Sequence, residues 1–451
     1  MADELFRPIF VPDRIREAVG GRAWLQAMLD AEGALAAAEA RTGLIPEKAA
    51  KAIDSRCDAR LFDPEEIGHQ GRAAGNPVPP LVRALTAAIS EVSEDAARYV
   101  HKGATSQDIT DTAAMLVVKR ALDLILAELD EISSACARLA ESHRDTIMAG
   151  RTLLQQALPT TFGLKAAGWL VSVLEARKML LEVRSSRLAA QLGGAAGTLA
   201  SLGDSGISVL EEFARELDLA EPVAPWHTDR TRVAEVGGAL SLVAGALGKI
   251  SLDVILLSQT EVAEVAEPSN GGRGGSSTLP HKRNPILSVT AAASARRVVD
   301  VARTLQAAMA QEHERAAGAW HSEWEALSDA LALTGGAAAA VRKVTEGLQV
   351  HPKKMRENLD ATGGLLLAEN VTTVAAERLG RLKAHDLVQM VARRAADGKR
   401  PFREELLGNG EIREVLSEEE IDAALDPTGY LGSAGTFVDR ALARYREEGL
   451  A

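Results

Sequence analysis

Aromatic residues are scarce in this sequence: they make up 3% of its 451 residues, although hydrophobic residues as a group make up 46%. The hydrophobic cores must therefore be built from alanine, leucine and valine. Because alanine and leucine are the strongest helix formers, this bias favours helices over strands. A chain of this length exceeds what one compact core accommodates, so we expect two or three domains.

Cysteine is nearly absent as well, and its two occurrences are Cys57 and Cys136. Two cysteines cannot form a disulfide framework, and their rarity is typical of proteins from a reducing compartment. The first residues contain no basic segment followed by an apolar one, which argues against a signal peptide. No uncharged apolar run reaches membrane-spanning length. We therefore expect a cytoplasmic protein.

Positive charge is in deficit, because the formal net charge is −12. An acidic surface argues against nucleic acid and against an anionic membrane as the main partner. A small anionic substrate is compatible with this charge, since a local cluster of cations can oppose the overall sign. No spacing of histidine, cysteine and carboxylate residues suits zinc, so no metal site is expected.

Two long segments do carry a regular apolar pattern, with apolar residues at alternating steps of three and four. The residues of this seam are Met115, Val118, Leu122, Ile125, Leu129, Ile132, Cys136 and Leu139 in the first segment, and Val233, Val236, Leu240, Val243, Leu247, Ile250, Val254 and Leu257 in the second. Such a seam is typical of long helices packed nearly parallel in a bundle. Further helices are predicted over 162–192, 286–310 and 323–348, and no convincing strand pattern appears.

We predict an all-α fold of three helical domains. An N-terminal domain covers 1–110, a central bundle covers 111–350 and carries a glycine-rich loop at 270–285, and a C-terminal domain covers 351–451. Small residues on a second face of one bundle helix also predict a subunit interface: Gly237, Gly238, Ala244 and Gly245. The alternative is an alanine-rich solvent face, which the cost of glycine within a helix disfavours.

The first of three polar segments is VHKGATSQD, which places His101, Thr105 and Ser106 directly before the first seam helix. Threonine, serine and aspartate are ordinary N-cap residues, but capping explains one residue and leaves the other hydrogen-bonding side chains unexplained. An anion held by the hydroxyls and by the N–H groups of the helix N-terminus accounts for the segment better.

The second segment, AGRTLLQQALPTTFG, carries Arg151, Thr152, Gln155 and Gln156 in an apolar context. The residues alone leave two interpretations open, which are capping of the following helix and substrate binding. The segment therefore supplies candidate substrate-binding residues, but its sequence does not decide between capping and substrate binding.

The third segment is GGRGGSSTLPHKRNP, in which four glycines and two serines precede a Leu-Pro turn, two cations and an asparagine. Glycine lets a loop approach a ligand closely, at a cost in chain entropy. The spacing of a phosphate-binding P-loop is absent. A disordered linker is the other alternative, and the defined turn, the charged Lys282 and Arg283 and the amide of Asn284 that follow it argue against that interpretation.

Together, the three segments resemble the aspartase/fumarase superfamily, in this order along the chain. The third matches the pattern G-S-S-x-M-P-x-K-x-N-P, with Leu279 in place of the usual methionine. Within the superfamily the sequence looks most like bacterial 3-carboxy-cis,cis-muconate cycloisomerases, on the stretches YVHKGATSQDITDT, PWHTDRTR and QEHERAAGAWHSEWEAL. The resemblance implies an all-α homotetramer in which each active site takes the three segments from three different subunits.

The resemblance also implies roles for particular residues and an enzyme that needs no cofactor and no metal. Ser276 would handle the proton beside a substrate carboxylate, and the other catalytic candidates are Lys282, Asn284 and His101. The candidate substrate-binding residues are Thr105, Ser106, Arg151, Thr152, Gln155, Gln156, Ser277 and Arg315. Fixed donors aimed at the charge of a carbanion intermediate are the largest expected contribution to the rate.

The sequence departs from many relatives in its acid residues. Leu153 and Gln156 stand where those relatives place a histidine, and Val289 stands where they place a glutamate. A leaving amine or hydroxide needs a proton, whereas a carboxylate does not. Lactonisation of a muconate in aromatic (protocatechuate) degradation is therefore favoured over adenylosuccinate lyase chemistry. The second hypothesis is a nitrosuccinate lyase, which releases nitrite and fumarate. The third hypothesis is an inactive scaffold like the crystallins related to argininosuccinate lyase.

Overall fold

A computed structural model describes residues 2–268, 279, 282–398 and 400–450 of the chain. Helices dominate these residues, which confirms the predicted helical fold class. The helices are α1 (Ala2–Phe10), α2 (Asp13–Val19), α3 (Gly21–Arg41), α4 (Glu47–Asp54), α5 (Pro64–Gly71), α6 (Val78–Ser90), α7 (Glu94–Ala97), α8 (Ser106–Ser142), α9 (Phe162–Glu182), α10 (Gly206–Glu216), α11 (Thr231–Leu257), α12 (Ile286–Ala307), α13 (Ala319–Gly347), α14 (Pro352–Asp360), α15 (Ala368–Leu379), α16 (Arg381–Gly398), α17 (Phe402–Leu407), α18 (Gly410–Val415), α19 (Glu418–Ala424) and α20 (Ala434–Glu447).

The predicted apolar seams lie on α8 and α11, the first of which is 37 residues long and the second 27. All the seam residues are buried except Leu139, which is half-buried. On α11, and on α8 beyond Val118, the residues between the seam positions include exposed ones. From Gln107 to Val118 every residue of α8 is buried, so in that part the three-four spacing marks only a portion of the buried surface.

The described residues fall into two compact units. Unit 1 consists of residues 2–129, 175–248 and 290–340, and unit 2 of the described residues within 130–174, 249–289 and 341–451. The unit boundaries fall inside long helices such as α8 and α11, so each of these helices contributes a segment to both units. The sequence-based division into three domains, near residues 110 and 350, stays a prediction.

Unit 2 contains a β-hairpin that the sequence analysis did not predict. Strand β1 (Ile147–Thr152) pairs antiparallel with β2 (Gln155–Thr161), and the turn between them is Leu153-Leu154. Both leucines have positive φ, 50° and 66°, where asparagine or glycine is the usual choice for such a turn. A second, minimal sheet pairs β3 (Val265–Ala266) with β4 (Gln349–Val350). The candidate residues of the second segment therefore lie on strands.

The helix predicted over 162–192 is shorter than expected. It ends as α9 at Glu182 and is followed by one wide π turn over Val183–Arg187. The helices predicted over 286–310 and 323–348 are present as α12 and α13, which extend from 286 to 307 and from 319 to 347. The ends of α12 and α13 thus differ from the prediction by four residues or fewer, whereas α9 ends ten residues early.

Helix α11 is long and apolar enough to cross a membrane by length and composition, with a mean hydropathy of 1.9. Half of this apolar window is buried inside the protein. A core helix of a bundle has the same length and hydropathy, so this feature by itself is weak evidence for a membrane protein.

The small residues of α11 divide into two groups. A Cβ atom added at Gly237 would lie 3.1 Å from a methyl carbon of Leu305, so this glycine allows α12 to pack closely in the same chain. Ala244 is fully buried. By contrast, a Cβ at Gly238 or Gly245 would meet no atom within 4 Å. The interface hypothesis therefore depends on Gly238 and Gly245.

Candidate active site

Thr105 and Ser106 lie at the N-terminus of α8, where a buried carboxylate organises the backbone. Asp108 is fully buried, and its two oxygens accept hydrogen bonds at 2.9 Å from the N–H groups of Thr105, Gly193 and Gly194. The ring Nε2 of His227 lies 2.7 Å from Oδ1 of the same carboxylate. Asp108 thus holds the chain before α8 and a glycine pair from a distant loop in one arrangement.

Arg315 reaches the same helix N-terminus. Its Nη1 donates a 2.7 Å hydrogen bond to Oγ1 of Thr105, which is partly buried. Within the described part of the chain, Arg315 forms no ion pair with a carboxylate. A guanidinium beside a helix N-terminus, with a neutral hydroxyl as its partner, is suited to bind an anion. The role of Arg315 and Thr105 as carboxylate ligands stays a prediction.

His101 lies just before this segment and is paired with a residue that the sequence analysis missed. Its Nδ1 is 2.6 Å from Oε1 of Glu32, and the Glu32 side chain is almost completely buried. Burial lowers the pKa of His101, but the charges of Glu32 and Asp108 outweigh that effect, and the pKa is raised overall. His101 therefore retains a proton more readily than an ordinary histidine.

In unit 2, Arg151 on β1 forms a bidentate ion pair with Glu264. The distances from its two Nη atoms to the carboxylate oxygens are 2.7 and 2.9 Å. Glu264 is fully buried, and it also accepts a 2.9 Å hydrogen bond from Nδ2 of Asn358. The charge of Arg151 is thus compensated within the chain, and the pair connects the hairpin to the segment just before β3.

The other predicted residues of the hairpin differ in their surroundings. Thr152 and Gln155 are exposed on either side of the turn. The Nε2 of Gln156 donates a 2.9 Å hydrogen bond to the carbonyl oxygen of Asn358. Its Oε1 is buried and accepts no hydrogen bond from the described residues. Gln156 therefore has one amide atom fixed by the fold and one that a polar ligand group would satisfy.

Of the glycine-rich segment, Ser276 and Ser277 lie outside the described residues. Lys282 is exposed and Asn284 is half-buried. Glu267 precedes the segment, and Leu287 and Ser288 follow it. The Glu267 carboxylate accepts hydrogen bonds from the N–H groups of Leu287 and Ser288, at 3.1 and 2.7 Å. This contact fixes the start of α12 to the residues that precede the loop.

Two arginines of the cycloisomerase-like stretch PWHTDRTR have structural partners. Arg230 is fully buried between Asp111 and Glu323, with nitrogen–oxygen distances of 2.6 to 3.2 Å. The indole N–H of Trp320 donates to the same Asp111 at 2.9 Å. Arg232 donates to the carbonyl oxygen of Arg187. Arg230 is thus part of a buried network in which two carboxyl groups compensate its charge.

The predicted residues are therefore distributed over both units. His101, Thr105, Ser106 and Arg315 belong to unit 1, whereas Arg151, Thr152, Gln155, Gln156, Lys282 and Asn284 belong to unit 2. Among the described residues, no group of three or more histidine, cysteine or acidic side chains is arranged to hold a metal ion.

The predicted site residues do not include those that hold them in place, namely Glu32, Asp108, Glu264 and Asn358. Asp108 was within reach, because it follows Thr105 and Ser106 in the stretch TSQD. The other three are distant in sequence from their partners, and a single sequence contains no local signal for such pairs.

Comparison with known proteins gives the same family over nearly the whole chain. The profile of a family described as lyase matches residues 11–300, and that of the adenylosuccinate lyase C-terminus matches residues 364–441. The chain belongs to this lyase family, the aspartase/fumarase superfamily. It is accordingly an enzyme of that superfamily.

Individual relatives are similar over their full length. The chain is 47% identical to a 3-carboxy-cis,cis-muconate cycloisomerase of Bradyrhizobium diazoefficiens, with 97% of each chain covered. It is 45% identical to a nitrosuccinate lyase of Streptomyces davaonensis, with 97% of this chain and 94% of the relative covered. The crystal structure of the 3-carboxy-cis,cis-muconate lactonizing enzyme from Pseudomonas putida superposes with a TM-score of 0.93 at 44% identity, with 98% of this chain and 99% of the other covered.

Proposed function

We propose that the protein is a cytoplasmic cycloisomerase that lactonises 3-carboxy-cis,cis-muconate in aromatic (protocatechuate) degradation. The observation that carries this proposal is the anion site of unit 1, where Arg315 contacts Thr105 at the N-terminus of α8. The choice of substrate is supported by the names of similar enzymes at 44 to 47% identity. A tricarboxylate needs several cations and donors, and Arg315, Thr105 and Ser106 of unit 1 would supply part of this set.

In the proposed reaction, one substrate carboxylate attacks the conjugated double bond and forms the C–O bond of a lactone. The electron pair of the double bond moves to the neighbouring carbon and spreads onto its carboxylate. Ser276 delivers a proton to that carbon and regains one from solvent, so one proton is consumed per lactone. Because the attacking group is a carboxylate, the step needs no acid at Leu153 or Gln156.

We further propose a homotetramer with active sites shared between subunits. Helix α11 supports an interface, because exposed residues recur on it at three-four spacing: Leu242, Gly245, Lys249 and Leu252. Leu242 and Leu252 are 54% and 45% exposed, and apolar side chains on an open helix stripe favour contact with another helix. Gly238, one turn earlier, would let that helix approach closely. The division of candidate residues between the two units is compatible with sites completed by neighbouring subunits.

Nitrosuccinate lyase is the second candidate function. It is supported by the 45% identity to the enzyme of that name and by the absence of an acid histidine at Leu153 and Gln156. Nitrite is a weakly basic leaving group, so its departure needs no proton. Both reactions share a substrate carboxylate and a carbanion intermediate, and the same anion site would serve either.

The test is a spectrophotometric assay of the purified protein with 3-carboxy-cis,cis-muconate, in which lactonisation breaks the conjugated diene and the ultraviolet absorbance falls. A fast fall that Ser276→Ala abolishes is the expected result. No fall with a correctly folded protein contradicts the proposal. Nitrosuccinate is assayed in parallel, and fumarate release from it would support the second candidate instead.

A further inference from the structure

Two buried carboxylates lie on one face of α3 in unit 1. Glu32 and Glu39 are seven residues apart, which is close to two helical turns, so their side chains point in the same direction. Glu32 is 2% exposed and Glu39 is 0% exposed. Burial of an ionised carboxylate is costly unless it is paired, so each of these residues requires an explanation.

Glu32 has a partner, and the partner is His101. The contact uses ring atom Nδ1, at 2.6 Å, which leaves Nε2 as the nitrogen that can face a ligand. The backbone of His101 has a φ of 57°, which lies in the left-handed region. Residues other than glycine adopt this conformation at a cost in free energy. The position of the ring is therefore set from two sides, by its backbone and by Glu32.

One carboxylate, that of Asp108, acts both on His101 and on the backbone of the proposed anion site. Asp108, which raises the pKa of His101 together with Glu32, is the same carboxylate that accepts the N–H of Thr105. The Nζ of Lys102, the next residue, donates to the carbonyl oxygen of Leu44. The ionised groups that act on the ring are thus Glu32 from α3 and Asp108 from α8.

Glu39 behaves differently from Glu32. Neither of its carboxylate oxygens has a hydrogen-bond partner among the described residues. Burial raises its pKa to about 8, against the opposing charge of Lys102 and with a further increase from Glu32. Glu39 therefore keeps its proton at neutral pH, and Glu32 is the carboxyl group that contacts His101.

We propose that Glu32 is a positioning residue: it fixes the ring of His101 through Nδ1, so that a protonated Nε2 is presented to the anionic substrate held by Thr105, Ser106 and Arg315. This inference rests on the proposed function, because it assigns a role within the same site. In the reaction, the Nε2–H donates a hydrogen bond to a substrate carboxylate. Charge-assisted hydrogen bonds of this kind are stronger than those between neutral groups.

The experiment compares Glu32→Gln with Glu39→Gln, since both replace a buried glutamate on the same helix face by its neutral isostere. Glu32→Gln should lower kcat/KM by about 10- to 100-fold, the effect of losing a hydrogen bond to a charged group. Because His101 must be protonated to donate, activity is lost as the pH rises through its pKa. That limb of the pH–rate profile should move to lower pH in Glu32→Gln, and Glu39→Gln should leave kcat/KM at neutral pH unchanged.

The second readout needs no substrate. In protein labelled at the ring carbon of histidine, the resonance of His101 is identified by its disappearance in His101→Gln. Its pKa, followed by NMR, should fall in Glu32→Gln. Thermal unfolding checks that each variant is folded.

A third variant separates positioning from general destabilisation. In a His101→Gln background, Glu32→Gln should cause little further loss of kcat/KM, since the two residues act through one contact. An unchanged pKa of His101 in Glu32→Gln, or a wild-type pH–rate profile in that variant, overturns the inference. If the wild-type protein does not convert the muconate, the proposed function fails instead, and the titration of His101 still decides whether Glu32 controls the ring.

Discussion

Arg230 and Arg315 both lie in unit 1, and both come from stretches that resemble cycloisomerases, but their surroundings are opposite. Arg230 is buried between two carboxylates, Asp111 and Glu323, which neutralise it. Arg315 contacts the neutral hydroxyl of Thr105 and has no ion-pair partner among the described residues. Loss of a buried cation such as Arg230 leaves its carboxylates uncompensated, whereas a cation that keeps its charge beside a helix N-terminus is suited to hold a substrate anion.

Arg151 extends the comparison to unit 2. Its resemblance to the family predicts a substrate ligand, and in the structure its guanidinium is bound at both Nη atoms by the buried Glu264. It therefore resembles Arg230 more than Arg315. Its assignment to substrate binding stays a prediction, and the ion pair supports a role in holding the hairpin that carries Gln155 and Gln156.

The largest effect is expected for Arg230→Met. The substitution leaves two buried carboxylates without their cation, which should lower the free energy of unfolding by about 3–5 kcal/mol. Urea denaturation of the variant and of the wild type measures this loss. A change below about 1 kcal/mol, the size expected for an exposed ion pair, would contradict the assignment.

Arg315→Met is the matched counterpart, and it should act on binding. The free energy of unfolding should stay close to that of the wild type, because no buried carboxylate loses its partner. The stabilisation of the wild type by a bound tricarboxylate, seen as an increase in Tm, should disappear in the variant. Arg315→Lys keeps the charge but not the planar fork, and should restore part of the increase. A full ligand-induced increase in Arg315→Met would remove Arg315 from the site.

Glu39 extends the comparison to an acidic residue, because it is buried and has no hydrogen-bond partner among the described residues. Its pKa of about 8 in the folded state exceeds the ordinary 4.5, so the folded protein keeps a proton that the unfolded chain loses. Stability should therefore decrease as the pH rises from about 5 to 8, by at most ~1.4 kcal/mol per pH unit. Glu39→Gln should remove this slope. Parallel stability–pH curves for variant and wild type would show that Glu39 does not titrate in this range.

The smallest effect is expected for Thr105→Val, which keeps the shape of the side chain and removes the hydroxyl that Arg315 contacts. The loss of one such hydrogen bond should reduce kcat/KM by the equivalent of about 1 kcal/mol, or roughly fivefold. Steady-state kinetics measure the change. Combined with Arg315→Met, the two losses should not add, and strict additivity would indicate that the two side chains act independently.

The sequence predicted the helical seams because burial repeats with the helical period along α11 and along α8 beyond Val118. Between Gln107 and Val118 every residue of α8 is buried, and the pattern of seam residues does not show this. It did not predict the hairpin, since Leu153-Leu154 occupies a turn with positive φ without the glycine or asparagine that marks such turns. A hydrophobic pair at that position looks like part of a helix or a core strand.

The candidate site could be predicted only in part for a related reason. Hydroxyls next to a helix start are visible in one short stretch, so Thr105 and Ser106 were found. The pairs that distinguish a structural charge from a functional one join residues far apart in sequence: 69 positions separate His101 from Glu32, and 113 separate Arg151 from Glu264. Their proximity is a property of the tertiary fold.

The most direct test of the contrast between the two arginines is the kcat/KM of Arg315→Met for 3-carboxy-cis,cis-muconate, determined with the wild type at equal concentrations of folded protein. The loss of one charged ligand should lower kcat/KM by about 10- to 100-fold while the unfolding curve stays unchanged. A kcat/KM equal to that of the wild type, in a variant with the same unfolding curve, would show that the uncompensated charge of Arg315 does not serve the substrate.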